Sequence, residues 1–218
     1  MEQLGHLLGV QEGRIVLILR SVQRGMSIIE LMIGLAIVAL VLMVAVPSFT
    51  IFLQNTQIRN AAESTLAGLN LARTEAVRRN QPVRFQFVSD LTAGCALVSN
   101  SLAWVVSLAD PSGACEVAPS ETVAPQTIQK RSATEGARNA VVLATGGTTS
   151  TFNGIGMLTG ASITQIDFSN STGVCEHVDV VNGTMRCLRI QVSTGGQARM
   201  CDPKVVAPVL PDVDPRAC

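Results

Sequence analysis

The sequence has few aromatic residues and no excess of charge. Its 218 residues include no Tyr, one Trp and six Phe, and 16 Lys and Arg balance 16 Asp and Glu. Proteins that bind single-stranded nucleic acid stack bases on aromatic side chains, and a net positive field attracts nucleic acid of any kind. The composition therefore argues against an extensive nucleic-acid interface and leaves only a local basic patch.

Residues that commonly carry catalysis are also scarce. The two histidines are His6 and His177. No nucleophile-elbow motif accompanies them, and the glycine pairs at 146–147 and 195–196 lack the spacing of a phosphate-binding loop. We therefore expect no enzymatic activity and no cofactor.

One long apolar run stands out near the amino terminus. Leu31 to Val46 contains sixteen consecutive apolar residues, close to the roughly 20 that a helix needs to cross hydrocarbon. Its side chains cover every face of a helix, so it requires apolar surroundings on all sides. Glu30 adjoins the run. Such an acid either marks a functional site or is incidental in an ordinary signal anchor.

The basic residues and the cysteines predict how this segment is oriented. Arg14, Arg20 and Arg24 precede the run, and the next basic residue is Arg59. The positive-inside rule then places the amino terminus in the cytoplasm and the rest of the chain outside. All six cysteines follow residue 94, which agrees with an oxidising compartment.

Six cysteines allow fifteen disulfide pairings, and the sequence alone does not choose among them. Proximity along the chain favours three pairs: Cys95 with Cys115, Cys175 with Cys187, and Cys201 with Cys218. A zinc site is disfavoured because zinc-binding cysteines typically occur in C-x₂₋₄-C pairs, and no two cysteines here are so close.

After Pro47 the apolar residues occupy one side of a helix only. They recur at helical spacing: Ile58, Ala61, Ala62, Leu66, Leu69, Ala72 and Ala76. Residues before a proline avoid the helical region, so the segment ending at Pro82 terminates the helix. The pattern predicts one helix over 26–79, with a break or bend at Pro47.

The chain beyond residue 82 is predicted to form β-strands. The candidate strands are 83–87, 102–108, 127–130, 140–144, 151–152, 162–169, 178–181, 186–192 and 197–201. Asn182-Gly183 predicts a hairpin between 178–181 and 186–192. The expected fold is therefore α+β, a long amino-terminal helix packed on an antiparallel β domain.

The junction at residue 25 resembles the processing site of type IV prepilins and pseudopilins. Arg24-Gly25-Met26 is followed by Glu30, the apolar run and Pro47. In that family a membrane peptidase cleaves after the glycine and methylates the new amino terminus. The resemblance implies cleavage between Gly25 and Met26, although the family more often has Phe where Met26 stands. It also implies a helix break at Pro47.

A later stretch resembles the minor pilins of the FimT/FimU type, which are related to the pseudopilin GspH. The resemblance lies in Leu69-x-Leu71-Ala72-Arg73-Thr74-Glu75-Ala76-x-x-Arg79-Asn80-x-Pro82-Val83, with weaker support from Phe152-Asn153-Gly154-x-Gly156 and from residues 196–203. It implies a pilin-like fold with four parts: a leader (1–25), a hydrophobic helix (26–51), an amphipathic helix (52–81) and a disulfide-stapled β domain (82–218).

The resemblance implies a minor pilin that primes or caps a type IV pilus. Its expected partners are other minor pilins, the major pilin, the prepilin peptidase and the inner membrane. The chain would cross that membrane once, with its C-terminal domain in the periplasm, and reach the cell surface within the pilus. Glu30 would pair with the α-amino group of Met26 on a neighbouring subunit. A minor pseudopilin of type II secretion is an alternative.

A second alternative is a DNA-binding minor pilin for natural transformation. Some FimT-type pilins bind DNA through a Gly-Arg-x-Arg segment near the C-terminus, where this chain has Gly196-Gln197-Ala198-Arg199. The missing arginine removes one phosphate contact, which Arg189 and Lys204 could replace. The resemblance therefore makes Arg199, Arg189 and Lys204 the candidate DNA contacts, with weak binding expected.

Overall fold

The computed structural model describes residues 26–176, 183–205 and 214–218. Within them one long helix precedes nine short strands: α1 (Ile28–Arg79), β1 (Val83–Phe87), β2 (Trp104–Ser107), β3 (Thr127–Arg131), β4 (Ala140–Thr145), β5 (Thr149–Phe152), β6 (Leu158–Thr159), β7 (Gln165–Asn170), β8 (Leu188–Val192) and β9 (Ala198–Cys201). The chain divides into two compact units between Val44 and Ala45, and all the strands belong to the second.

The first unit contains the apolar part of α1. Every side chain from Met26 to Met43 is exposed to solvent in the isolated chain. The helix is long and apolar enough to cross a membrane. A helix that is apolar on every face requires apolar surroundings on all sides.

The helix does not break at Pro47, which corrects the prediction from the sequence. α1 is continuous from Ile28 to Arg79, with Pro47 inside it. Proline lacks the N–H group that would bond to the carbonyl oxygen of Met43, so one backbone hydrogen bond is missing there. The helical turns on both sides of Pro47 nevertheless keep the backbone helical there. The hydroxyl of Thr50 donates to the carbonyl oxygen of Pro47 at 2.7 Å.

The predicted apolar stripe is the buried face of the second part of α1. Its fully buried members are Ile58, Ala62, Leu69, Ala72 and Ala76. Gly68 lies on the same face, where a methyl group would come within 2.8 Å of the Phe85 ring and 3.2 Å of the Trp104 ring. Small side chains on this face therefore let the helix approach the aromatic side chains of β1 and β2 closely.

The strands form two antiparallel sheets, with strand orders β3-β2-β1-β5-β6 and β4-β7-β8-β9. In the first, Phe85 lies opposite Val106 on one side and Ser150 on the other. In the second, Ile166 lies opposite Ile190. Alternate strand residues share a face, so both sheets direct apolar rows into one core, which the buried face of α1 completes.

A second, smaller core lies on the other face of the five-stranded sheet. Its buried members are Val88, Cys95, Ala103, Val105 and Cys115. Val105 pairs with Gln86, which alternates with Phe85 along β1 and therefore faces away from the main core. Gln86 is buried and accepts a hydrogen bond from the hydroxyl of Ser107 at 3.2 Å. The segment after β1 thus covers this face of the sheet.

The α+β fold is as predicted, and most strands lie within or close to the expected ranges. The two-residue strand β6 was not predicted because two residues carry no alternating pattern. The predicted hairpin is wrong for β8. That strand pairs with β7 on one edge and β9 on the other, so it has no edge left for residues 178–181. Those residues lie outside the described part of the chain, as does His177.

Candidate functional site

The residues implicated in processing and assembly lie at the beginning of α1. Glu30 is in the first turn of the helix, where a carboxylate interacts favourably with the helix dipole. The side chains of Met26 and Glu30 are both exposed. A group on another molecule can therefore reach both. Gly25 lies outside the described residues.

Three segments of the second unit meet at the C-terminal end of α1, and we call this place the helix-end junction. Arg73 donates from Nε to the carbonyl oxygen of Gly156 at 3.1 Å. Asn80 follows the helix with a φ of 51°, and a methyl group on Gly154 would lie 2.5 Å from its Oδ1. A methyl group on Gly196 would overlap the carbonyl oxygen of Gly156. The turn that contains Gly154 and Gly156 therefore packs directly on the helix, and the turn that contains Gly196 packs on that first turn.

Asn153 shapes the β5–β6 turn within this junction. Its Oδ1 accepts hydrogen bonds from the N–H groups of Ile155 at 3.1 Å and Met157 at 2.9 Å. The next residue, Leu158, donates its N–H to the carbonyl oxygen of Thr194 in the β8–β9 turn at 3.2 Å. The junction thus joins the end of α1 to turns of both sheets, which gives a structural reason for the residues that resemble the FimT/FimU type.

The described residues contain three disulfides, which use all six cysteines. They join Cys95 to Cys115, Cys175 to Cys187 and Cys201 to Cys218, at sequence separations of 20, 12 and 17. These are the pairs that proximity along the chain favours. In the described part of the chain no group of three or more His, Cys, Asp or Glu side chains is placed to hold a metal ion.

Two of the three candidate DNA contacts are engaged in ion pairs. Arg189 lies on β8 with its Nε 2.6 Å from Oδ1 of Asp167 on β7. Lys204 pairs with Glu176. A cation that already has a carboxylate partner releases less free energy on meeting a phosphate, because that pair must be given up. These ion pairs therefore reduce the free energy that Arg189 and Lys204 can gain from a DNA phosphate.

Arg199 is exposed on β9, at the edge of the four-stranded sheet. Its Nη2 donates to the side-chain oxygen of Gln191 at 3.1 Å. The carboxylate of Asp202, three residues further along the chain, pairs with Arg186 at 3.2 Å. In the described residues Arg199 is thus held by a neutral amide rather than by an acid.

The structure also contains a groove of about 470 Å³ that was not predicted, and we call it the tail groove. It is lined by Phe52, Asn55, Thr56, Arg59, Arg186, Leu188, Met200, Cys201, Asp202, Pro215 and Arg216. The Oδ1 of Asn55 on α1 accepts a hydrogen bond from the backbone N–H of Arg186 at 2.8 Å, and this bond joins two sides of the groove. The lining comes from α1, from β8 and β9, and from the chain end joined to β9 by a disulfide. No local sequence pattern marks such a site because its parts are distant in sequence.

Arginines hold two carboxylates in their ionised form. Hydrogen bonds from Arg78 and Arg79, at 2.6 and 2.8 Å, lower the pKa of Glu75 below its ordinary value of 4.5. Beside the tail groove, hydrogen bonds from Arg216 lower the pKa of Asp214 to about 2. Both carboxylates are therefore charged at neutral pH and keep their arginines in place.

Two solved structures show similarity to this chain. Both are crystal structures of the type IV minor pilin FimU from Pseudomonas aeruginosa strain PAO1. The one in space group P65 is 17% identical, with a TM-score of 0.39 and coverage of 65% of this chain and 90% of that chain. The one in space group P21 is 19% identical, with a TM-score of 0.41 and coverage of 68% and 91%. No curated protein matches the sequence.

Family comparison gives two matches along the chain. Residues 20–46 match the prokaryotic N-terminal methylation motif. Residues 61–196 match the family described as Type II transport protein GspH, which is more than half of the sequence. The second match contains most of the buried helix face and the whole helix-end junction. The chain therefore belongs to the GspH family and is a minor pilin or pseudopilin of the GspH, FimT and FimU type.

Proposed function

We propose that this protein is a minor pilin that primes or caps a type IV pilus. The observation that carries the proposal is the match of residues 20–46 to the N-terminal methylation motif, directly over the exposed apolar part of α1. A helix that is apolar on all faces can leave a membrane only for another apolar environment. A bundle of similar helices at the centre of a filament provides one. The partners would be the major pilin and other minor pilins.

Assembly would follow cleavage by the prepilin peptidase between Gly25 and Met26 and methylation of the new amino terminus. Cleavage leaves Met26 as the first residue, two positions before α1 begins. The exposure of Met26 supports this step, because the peptidase and a neighbouring subunit both need access to it.

Glu30 would then act as an alignment residue between subunits. An unpaired carboxylate in apolar surroundings costs several kcal/mol or takes up a proton. The α-amino group of Met26 on a neighbouring subunit offers the opposite charge. A single buried polar pair can select one register between packed helices, as in coiled coils. Glu30 would therefore fix the axial position of each subunit.

The chain would span the inner membrane once before assembly. Basic residues precede the apolar run and are absent after it until Arg59, which favours a cytoplasmic amino terminus. The three disulfides favour a periplasmic location for the strands, where such bonds form and persist. After assembly the protein would lie at the cell surface within the pilus.

Two alternatives have an observation in their favour. The description of the matching family names type II transport, which supports a minor pseudopilin of a secretion system. The exposed Arg199, which has no acidic partner among the described residues, supports weak DNA binding. The ion pairs of Arg189 and Lys204 weaken that second alternative.

A strain that lacks the gene distinguishes a function in the pilus from a function in type II secretion. If the proposal holds, deletion reduces surface pili counted by electron microscopy and leaves type II secretion unchanged. The wild-type gene restores the pili, and a Glu30→Val gene does not. Loss of secreted enzymes with normal pili would establish the pseudopilin alternative instead.

A further inference from the structure

Two glutamines of α1 bond to the end of β7 and to the loop that follows it. Gln54 donates from Nε2 to the hydroxyl of Thr172 at 2.9 Å. Oε1 of Gln57 accepts a hydrogen bond from the side-chain amide of Asn170 at 3.1 Å, and Asn170 is buried. Oδ1 of Asn170 in turn accepts hydrogen bonds from the N–H and the hydroxyl of Thr172, at 3.1 and 2.6 Å. The loop therefore presents an ordered set of polar groups to α1.

The segment before β8 bonds to α1 between those two glutamines. Oδ1 of Asn55 accepts the backbone N–H of Arg186 at 2.8 Å. The preceding residue, Met185, is fully buried, and its N–H donates to the carbonyl oxygen of Val174 at 3.2 Å. The N–H of Glu176 donates to the carbonyl oxygen of Met185 at 2.7 Å. The two segments that contact α1 therefore also contact each other.

A disulfide crosses between these two segments. We call residues 170–176 and 184–187 together the helix seat, and the bond between Cys175 and Cys187 lies within it. A cross-link limits the conformations open to the segments that it joins. Without it, a few backbone hydrogen bonds at the protein surface would hold the seat together, and such regions open most readily in folded proteins.

The bond in the seat is also more accessible than the disulfide of the smaller core. Cys175 is half-buried, and residues 171–174 beside it are exposed. Cys95 and Cys115 are only 4% and 1% exposed, and they lie on the sheet face that is turned away from the main core. Thiol–disulfide exchange requires a thiolate to reach one of the two sulfurs. The Cys175–Cys187 bond can therefore exchange while the domain is folded.

We propose that the Cys175–Cys187 disulfide is a redox-controlled latch for α1. The oxidised bond keeps the helix seat in the shape that receives the three amide side chains of α1. Reduction loosens the seat and frees this stretch of the helix. The buried stripe that begins at Ile58 stays packed on the sheets.

Closing the latch is a two-electron oxidation. The two thiols lose two protons and two electrons as the S–S bond forms, and a protein disulfide of the oxidising compartment takes these up and becomes a dithiol. Opening is the reverse reaction, with a dithiol as the reductant. One consequence rests on the proposed function: oxidation outside the membrane would fix the helix on its domain before the subunit enters a filament. The latch itself does not depend on that function.

The test is hydrogen–deuterium exchange, measured by mass spectrometry on the full chain in detergent. Cys175→Ser with Cys187→Ser opens the latch permanently. We expect the backbone amides of residues 53–57 to exchange about 10-fold faster than in the wild type, because the hydrogen bonds to the seat are lost. The amides of residues 58–76 should exchange as before, because their apolar face remains packed.

Two further variants show whether the effect passes through the seat. Cys95→Ser with Cys115→Ser is the matched control, which removes a disulfide from the smaller core and should leave residues 53–57 unchanged. Asn55→Ala removes the bond to Arg186 and should accelerate exchange in the oxidised protein. Combined with the open latch it should add little, because both changes break the same contact.

Reduction of the wild-type protein tests the latch without any substitution. Dithiothreitol is raised stepwise, free thiols are alkylated, and mass spectrometry locates them. We expect Cys175 and Cys187 to be alkylated at lower reductant concentrations than Cys95 and Cys115. Exchange at residues 53–57 should rise in step with that alkylation.

Several results would overturn the proposal. They are unchanged exchange at residues 53–57 in the open-latch variant, equal acceleration in both cysteine variants, additive effects of Asn55→Ala, and earlier alkylation of the smaller-core cysteines. Acceleration over residues 58–76 as well would show a bond that merely stabilises the whole domain. Pilus counts are a separate measurement. A chain that forms pili but shows no latch contradicts only this inference, and a latched chain that forms no pili contradicts only the proposed function.

Discussion

The Nε of Arg73 lies 3.1 Å from the carbonyl oxygen of Gly156. Arg73 is partly buried on α1, and Gly156 lies in the β5–β6 turn with a φ of 79°, which a residue with a side chain rarely adopts. The carbonyl can meet the guanidinium only because the turn takes this conformation. The same oxygen lies against Gly196 of the β8–β9 turn. One hydrogen bond thus depends on two glycines far apart in sequence.

The first prediction concerns Gly196. Gly196→Ala places a methyl group on the carbonyl oxygen of Gly156 at a φ of 77°. The left-handed conformation alone costs roughly 1–2 kcal/mol, and the overlap adds to it, so we expect the free energy of unfolding to fall by more than about 2 kcal/mol in urea titrations. The control is Gly195→Ala, where the nearest atom to a new methyl group is 3.8 Å away. Equal destabilisation by both changes would show that the junction is not responsible.

The second prediction concerns processing. Gly25→Val should leave the full-length precursor in the inner membrane, because the proposed cleavage follows the glycine of the prepilin junction. Immunoblotting of membranes shows the precursor, and amino-terminal sequencing of the wild-type protein should begin at Met26. Gly34→Ala is the control, since a methyl group there meets nothing within 4 Å, and it should be processed normally. A mature terminus at any other residue would contradict the assignment of the cleavage site.

The third prediction separates insertion from assembly. Glu30→Val should remain in the membrane, because removing a carboxylate beside the apolar run lowers the cost of insertion. It should fail to enter pili, because the α-amino group of the neighbouring subunit loses its partner. Sheared pili and membranes are compared by immunoblot, with Glu63→Gln, an exposed position in the second unit, as the control. Normal amounts of the Glu30→Val protein in pili would show that the pair does not set the register.

The fourth prediction follows from the lowered pKa of Glu75. The unfolded chain binds a proton at Glu75 more readily than the folded chain does. The stabilising contribution of this carboxylate is therefore complete above pH 4.5 and is lost as the pH falls below it. Thermal unfolding between pH 7 and pH 3 should show a smaller loss of stability for Glu75→Gln than for the wild type. Glu116→Gln, at an exposed loop position, should follow the wild type, and identical profiles for all three would contradict the prediction.

The fifth prediction concerns DNA. The wild-type protein should bind duplex DNA weakly, with an affinity that falls steeply with salt, because any contact would be to phosphates. Gln197→Arg should strengthen binding at low salt, and Arg199→Ala should abolish what remains. Gel-shift titrations at two salt concentrations measure this, with Arg138→Gln as the control for a lost surface charge. Tight binding that does not depend on Arg199 would place the DNA surface elsewhere.

Local patterns were enough to predict the helix, its buried face and most strands. The stripe through Ile58, Leu69 and Ala76 follows the 3.6-residue period of a helix, and Val83 to Phe87 alternates with the period of a strand. Disulfide partners close in sequence could also be proposed. Each of these features is encoded within a short segment of chain.

Features that join distant segments could not be predicted. Val83 lies opposite Phe152, so β1 and β5 are neighbours in the sheet. No local sequence pattern around either residue indicates this pairing. β8 was assigned to a hairpin from the Asn-Gly signal, whereas its two edges are filled by β7 and β9. The tail groove was missed for the same reason. A break or bend was predicted at Pro47, but α1 continues through it, because the helical turns on each side outweigh one missing hydrogen bond.

The three disulfides all close loops between Cys95 and Cys218, so among the described residues no disulfide joins α1 to the sheets, and the only covalent link is the backbone between Arg79 and Val83. In a subunit held in a fibre by its helix and pulled by its outer domain, side-chain contacts alone keep the sheets against the side of α1, while the backbone after Arg79 keeps the two connected. The surface between α1 and the sheets would therefore slip first, while every cross-linked loop stays closed. Because no disulfide is broken in that event, the sheets can pack against the helix again when the tension is released.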